Sequence, residues 1–186
     1  MNLKPFTKWV GGKTKLLPEL KEIVPINYNR YYEPFIGGGA LFFSLQPKIA
    51  TINDMNQELV NVYRVIKEQP TQLLALLQQH QEKNSKEYFL KIRSLDRIAE
   101  PAYTIGGVER AARILYLLKT DFNGLYRVNS KGQFNAPYGR YKNPKIANKD
   151  NILAISKYLN TAQIKILSGD FQKAVQTAGF HDLIYF

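Results

Sequence analysis

The sequence predicts an α/β fold: a parallel sheet wound on both faces by helices and interrupted by a helical insertion. Three observations carry that reading. An apolar run, Tyr32-Glu33-Pro34-Phe35-Ile36, enters the glycine cluster Gly37-Gly38-Gly39, and a helix-compatible run, Ala40 to Leu45, leaves it. A second short strand over Ile49 to Ile52 ends in Asn53-Asp54-Met55-Asn56. Strand, glycine loop, helix, strand, acid is the opening of a doubly wound sheet. Far along the chain a third strand, Gln163 to Leu167, ends at Gly169-Asp170-Phe171, so the sheet resumes.

The remaining elements follow from periodicity. Lys13 to Val24 reads as a helix with Leu16, Leu17, Leu20, Ile23 and Val24 on one side. The first strand runs over Tyr31 to Phe35, and a helix follows the second strand from about Gln57 to Lys67. From Pro70 to Thr120 the texture is helical, in three apolar sets: Leu73, Leu74, Leu76, Leu77; Tyr88, Phe89, Ile92, Leu95; and Ile114, Leu115, Leu117, Leu118. Pro101 and Gly106-Gly107 punctuate this stretch. Leu125 to Val128, the turn Asn129-Ser130-Lys131-Gly132 and Gln133 to Pro137 read as a hairpin. Ile152 to Leu159 is helical, and Leu183 to Phe186 begins another strand. The domain organisation expected is 1–57 with 151–186 for the sheet, and 58–150 for the insertion.

The 186 residues suffice for one domain with an insertion, and no run approaches a membrane span of roughly 18 to 20 apolar residues. There is no cysteine, which excludes a disulfide framework and fits a cytoplasmic protein. With only His80 and His181, no dedicated transition-metal site is expected. The net charge of +11 points to a polyanionic partner. Its distribution favours nucleic acid over a membrane surface. Lys119, Arg127, Lys131, Arg140, Lys142, Lys145 and Lys149 share their stretch with one acid, Asp121, and are interleaved with Asn, Gly, Tyr and Phe.

Three motifs carry chemistry. A glycine loop lets backbone approach a nucleoside closely, and an acid at the end of the next strand, Asp54, suits a ribose diol. A nicotinamide enzyme uses the same device, but Gly37-Gly38-Gly39 lacks the G-x-G-x-x-G spacing that seats a pyrophosphate. A purely structural turn stays open. Asp170-Phe171 can bond and cover an adenine, or can cap a helix and fill the core. Glu33, Asp54 and Asp170 together make the strand ends acidic in a basic protein, which suits a cofactor with a positive centre such as a sulfonium. In Lys8-Trp9-Val10-Gly11-Gly12-Lys13 the glycines admit a ligand, Trp9 offers a face to a cation, and Lys13 can pair with a carboxylate. The same triplet also suits a plain turn into the first helix.

Lys-Trp-Val-Gly-Gly-Lys, Glu-Pro-Phe-Ile-Gly-Gly-Gly, Ile-Asn-Asp-Met-Asn, Phe-Asn-Gly-Leu-Tyr-Arg and Phe-Asn-Ala-Pro-Tyr-Gly-Arg-Tyr occur in that order. Together they resemble the Dam-type DNA adenine methyltransferases, and within them the GATC-specific DpnII type. The resemblance covers essentially the whole chain. It implies a Rossmann-like methyltransferase sheet that binds S-adenosyl-L-methionine and an inserted target-recognition region. It further implies methyl transfer to the exocyclic amine of adenine in double-stranded GATC, with a restriction endonuclease as a companion on the same site rather than a stable partner. Carried over by position, Trp9 and Lys13 hold the methionine part of the cofactor, and the loop from Pro34 and Phe35 through Gly37 to Gly39 wraps it. Asp54 takes its ribose, and Asp170 and Phe171 its adenine. Leu125, Arg127 and Pro137 fall where relatives read the bases of GATC, Lys8 where a flanking guanine is read, and Phe122 where an aromatic wedges into the duplex. The chemistry agrees: arginine bonds bidentately to guanine, and Leu or Pro meets a thymine methyl. Asn123, Arg140 and Lys142 suit phosphates. The alternative for Phe122 and Leu125 is ordinary core.

The family's catalytic tetrapeptide, Asp-Pro-Pro-Tyr, is expected immediately after a strand like Leu183-Ile184-Tyr185-Phe186, where this sequence stops. No catalytic residue is therefore assigned, and the 186 residues alone are expected to be an inactive, truncated form of such an enzyme. Two rivals remain: a non-catalytic DNA-binding fragment, and a nicotinamide-dependent oxidoreductase, which leaves the basic hairpin unexplained. A cytosine C5 methyltransferase is disfavoured by the missing cysteine.

Overall fold

The computed structural model describes residues 3–97 and 107–186; the expected punctuation at Pro101 and Gly106 lies outside them. Four strands form one sheet: β1 (Tyr31–Glu33), β2 (Ile49–Asp54), β3 (Gln163–Ser168) and β4 (Leu183–Ile184), in the order β3-β2-β1-β4. Every pairing is parallel, with Tyr31 opposite Ala50 and Leu183, and Ile52 opposite Ile166. This is the expected α/β class. All three residues of β1 are buried, as a central parallel strand covered on both faces requires. The strand ends at Glu33, two residues before the predicted Phe35, because the chain turns at Pro34. The order reverses at β1, whose neighbours run to β2 on one side and β4 on the other. Doubly wound sheets open their crevice at such a switch point.

Helices α1 (Leu17–Ile23), α2 (Ala40–Leu45) and α3 (Gln57–Glu68) accompany the first two strands. Helix α3 starts at Asn56, whose side chain accepts the Leu59 N–H at 3.1 Å, a cap worth about 1 kcal/mol. It packs on β2 and β3, and also against helices of the inserted stretch. Those are α4 (Pro70–Glu82), α5 (Lys86–Ser94) and α6 (Gly107–Thr120). Ten residues of α6 are buried, so it is the central rod of the bundle rather than a one-faced surface helix. Helix α7 (Lys149–Thr161) returns the chain to β3, and α8 (Phe171–Val175) follows that strand.

Two expectations need correcting. The single helix expected over Lys13 to Val24 is a 3-10 turn over Thr14–Leu16 followed by α1. Pro18 begins the α-helix, so Leu16 falls out of phase. Leu17, Leu20 and Val24 meet the core, while Leu16 and Ile23 are exposed. The predicted hairpin is present as a loop closed by one bridge, Val128 to Phe134, and forms no regular ladder. Side chains complete the backbone bonding of its return arm. Asp96 accepts the Phe134 N–H at 2.7 Å, Arg97 donates to the Phe134 carbonyl at 3.0 Å, and Arg93 donates to the Ala136 carbonyl at 3.1 Å.

Asp96 also pairs with Arg113 of α6 at 2.9 Å, and both side chains are more than nine-tenths buried. Arg113 further donates to the carbonyls of Ile92 and Arg93. Removing one partner of such a pair strands the other charge. Arg113→Ala is expected to destabilise the chain by about 3–5 kcal/mol, read as a lower urea midpoint; a change within about 0.5 kcal/mol would show the pair to be solvent-relaxed.

Candidate functional site

The carboxyl ends of β1, β2 and β4 open into a cleft of about 350 Å³. Its walls are Trp9 to Lys13, Glu33, Phe35 to Leu41, Asp54, Tyr185 and Phe186. The end of β2 organises it. Asn53, fully buried, donates from Nδ2 to the carbonyls of Pro34 (3.0 Å) and Gly169 (2.9 Å). Asp54 accepts the Gly37 N–H on Oδ2 at 3.0 Å and the Asn56 N–H on Oδ1 at 2.9 Å. Each carboxylate oxygen keeps a second lone pair for a ligand hydroxyl.

The glycines have steric reasons. Gly37 has φ +47, and a Cβ there would lie 2.9 Å from Trp9 Cδ1. Gly39 has φ +70, and a Cβ would meet the Tyr63 hydroxyl at 2.6 Å. That hydroxyl donates to the Gly37 carbonyl at 2.9 Å, so the loop is packed and bonded from behind. Pro34, expected at the cofactor, is buried behind the loop and does not line the cleft; its carbonyl accepts from Asn53.

Of the residues expected to bind a cofactor, the fold therefore gathers Trp9, Lys13, Phe35, Gly37, Gly39 and Asp54 at one cleft. Asp170 and Phe171 lie beside it. Asp170 caps α8, accepting the Gln172 N–H at 2.8 Å. Phe171 is exposed rather than core, with its ring 5.5 Å from Phe35 and 6.5 Å from Phe186.

A second, larger cleft of about 770 Å³ shares Trp9, Val10, Gly12, Gly38 and Ala40 with the first. Lys8, Lys119, Phe122, Asn123 and Leu125 line it. Phe122 is 55 % exposed and Leu125 half-buried, so neither is ordinary core. The Phe122 N–H donates to the Pro137 carbonyl at 2.8 Å, which sets Pro137 beside the cleft. Arg127 is exposed on the hairpin, held by Asn135. Arg140, at φ +56, and Lys142 lie outside the cleft; Lys142 borders a separate groove with Gln81 and Asn84. The two clefts meet at Trp9, whose ring packs on Tyr126 at 5.1 Å.

Several groups noted in the sequence turn out to be buried. Lys119 is the half-buried base of the second cleft, and burial, with Lys8 as a like charge, lowers its pKa. Asp121 is fully buried beneath the Phe122 to Leu125 loop. Its oxygens make no well-formed hydrogen bond, and burial lifts its pKa to about 7, partly offset by the Gly124 and Leu125 N–H groups. The lone acid in a basic stretch was its visible signal. Glu33 is also buried, accepts the Tyr31 hydroxyl at 2.5 Å, and is pushed up to about 8 by burial. Tyr185 and Phe186 join the first cleft from the last strand. Among the described residues no helix is long and apolar enough to cross a membrane, and no group of three His, Cys, Asp or Glu could hold a metal.

Residues 9–186 match the family described as D12 class N6 adenine-specific DNA methyltransferase. The chain belongs to that family. It is 60% identical over its whole length to the type II methyltransferase M1.LlaDCHI of Lactococcus lactis subsp. cremoris, covering 65% of that protein. It is 39% identical to the type II methyltransferase M.MjaIII of Methanocaldococcus jannaschii over all of the chain and 68% of the relative. It is 30% identical to the DNA adenine methylase of Haemophilus influenzae over 98% of the chain and 62% of the relative. The chain thus spans about two thirds of these relatives' length. In this D12-class chain the matched region takes in the whole first cleft and most of the second, whose Pro5, Thr7 and Lys8 precede it.

Glu33 and Asp121 each hold a proton to higher pH folded than unfolded. The folded state therefore binds more protons between their ordinary values, 4.5 and 3.8, and about 8 and about 7. The stability this gives is full below those ordinary values and is lost as pH rises through the folded ones. Urea midpoints are expected to fall from about pH 5 to about pH 9, and Glu33→Gln is expected to shallow that fall. An unchanged slope would mean that Glu33 is ionised in the fold at neutral pH.

Proposed function

We propose that the chain is the cofactor- and DNA-binding part of an adenine-specific DNA methyltransferase. It would use S-adenosyl-L-methionine on the exocyclic amine of adenine in GATC, as a restriction companion. The observation that carries this is the shared wall at Trp9, where an acidic, glycine-lined cleft opens beside a cationic, aromatic one. The first cleft fits the cofactor chemically. The Asp54 carboxylate, fixed by two backbone donors, suits a ribose diol, and Lys13 suits the amino-acid carboxylate. Trp9, Phe35 and Phe171 offer aromatic faces to a purine and a sulfonium. When bound, the cofactor supplies an electrophilic methyl group.

The second cleft suits DNA. Lys8 and Lys119 attract phosphate, Phe122 offers an exposed ring to stack in the duplex, and Leu125, Arg127 and Pro137 offer base contacts. In this reading residues 58–150 carry target recognition, with Asn123, Arg140 and Lys142 on phosphates. Base chemistry requires the adenine to leave the stack and its amino group to meet hydrogen-bond acceptors. The 186 residues contain no Pro-Pro pair, so the family's Asp-Pro-Pro-Tyr set is not supplied by them.

Trp9 is the sole tryptophan and a wall of both clefts, so its emission reports binding. S-adenosylmethionine is expected to shift that emission saturably, and Asp54→Ala to weaken binding roughly tenfold or more, for two lost charge-assisted bonds. A response to NAD and none to S-adenosylmethionine would favour an oxidoreductase. Mixed with labelled cofactor and an unmethylated GATC duplex, the 186-residue chain is expected to bind the duplex without transferring methyl; transfer above background would show that these residues hold the acceptors themselves.

A further inference from the structure

Arg127 and Asn135 face each other across the recognition loop and share three hydrogen bonds. The Asn135 N–H donates to the Arg127 carbonyl at 2.9 Å. The Arg127 side chain donates from Nε to Asn135 Oδ1 at 2.7 Å and from Nη2 to the Asn135 carbonyl at 2.9 Å. One residue therefore occupies one whole edge of the guanidinium, the Nε/Nη2 edge. A guanidinium has five N–H donors in a rigid plane. With that edge taken, the end carrying Nη1 and the second Nη2 hydrogen keeps its parallel pair free, the pair that fits guanine O6 and N7.

Asn135 is itself a fixed post. Phe134 before it is bonded on both sides, its N–H to Asp96 and its carbonyl to Arg97, and the Ala136 carbonyl after it receives Arg93. Phe134 and Ala136 are both buried, while Asn135 between them is only partly covered. The helical bundle thus sets the backbone of Asn135, and Asn135 sets the plane of an exposed arginine. An exposed arginine otherwise samples many rotamers and must be ordered on binding, at a cost of roughly 0.5–1.5 kcal/mol, or about 2- to 10-fold in affinity.

We propose that Asn135 is a specificity-positioning residue: it consumes one edge of the Arg127 guanidinium so that only the other can meet a guanine. The proposal rests on the reading of Arg127 as a base contact, and the test separates the two. The 186-residue chain is titrated, by fluorescence anisotropy, with a GATC duplex and with duplexes in which each guanine in turn is 7-deazaguanine, which lacks the N7 acceptor.

The wild-type chain is expected to lose roughly 5- to 100-fold at one guanine position. Arg127→Ala is expected to abolish that penalty, and Asn135→Ala to shrink it by roughly 2- to 10-fold while leaving the salt dependence unchanged. Asn135→Asp keeps an acceptor at the same place and is expected to retain the penalty. In nuclear magnetic resonance spectra the Arg127 Nε–H is expected to exchange slowly in the wild type and the Asp variant, and fast in Asn135→Ala. A full penalty in Asn135→Ala alongside its loss in Arg127→Ala overturns the positioning role and leaves the guanine contact standing. A penalty that survives Arg127→Ala, or is missing from the wild type, overturns the base contact and the proposal with it. Equal weakening on every duplex by Asn135→Ala makes Asn135 a fold or phosphate residue and also overturns it.

Discussion

Three loops leave the sheet at its carboxyl edge, and two adjacent residues of β2 hold all of them. Asn53 reaches sideways to the loop after β1 and to the loop after β3, bonding Pro34 and Gly169. Asp54 reaches to Gly37 in the first of those loops and to Asn56 in its own. The backbone repeats the stitching: the Ile36 N–H donates to the Asn53 carbonyl, and the Gly169 N–H to the Asp54 carbonyl. In a buried setting an amide that lost one of these partners would carry a desolvation cost of about 1–3 kcal/mol. The cleft is therefore formed before any ligand arrives, and a ligand need not order the loops that receive it.

That constraint separates two kinds of charge. The basic surplus lies on exposed side chains, where water and salt screen it. The acids at the cleft are short, partly or wholly buried, and tied to backbone or to tyrosine. Burial keeps Glu33 protonated to about pH 8, so the negative charge of this cleft inside a chain of net charge +11 rests on the Asp54 carboxylate, held by two backbone N–H groups. Lys119 shows the converse. It sits half-buried near Lys8, and its lowered pKa reflects burial first and the like charge of Lys8 second. A polyanion entering the second cleft would balance both charges.

The sheet and the first cleft were legible because short-range rules govern them. Gly37 and Gly39 must be glycine for the left-handed turns and for contact with Trp9 and Tyr63, and Asp54 follows the strand that places it. The helices between 70 and 120 were legible from the apolar sets around Leu73 and Leu77, Phe89 and Ile92, and Ile114 to Leu118, the last on α6, which buries ten residues. The loop over 125–137 was only half legible. Alternation suggested a ladder, but the groups that complete its backbone come from Arg93, Asp96 and Arg97, far away in sequence. No local pattern announces that an aspartate on a 3-10 turn will accept an N–H from Phe134. The burial of Asp121 and Glu33, both noted in the sequence as acids, was hidden for a related reason: a single sequence does not display it.

The second consequence of side-chain closure is mechanical. A ladder hairpin is held by its own two arms and moves as a unit relative to the sheet. Here one arm is bolted to α5 and its following turn, while the other carries Tyr126, which packs on Trp9 at 5.1 Å and on Phe134 at 5.9 Å. Trp9 in turn lies against the backbone of Gly37 and Gly38. The loop that carries Tyr126 and the glycine loop thus both rest on Trp9. Rotating that ring would disturb both clefts, because Gly37 leaves no room for a Cβ beside it and Tyr126 packs against it. The spacing between the two clefts is accordingly fixed by packing density, the least compliant property of a protein interior.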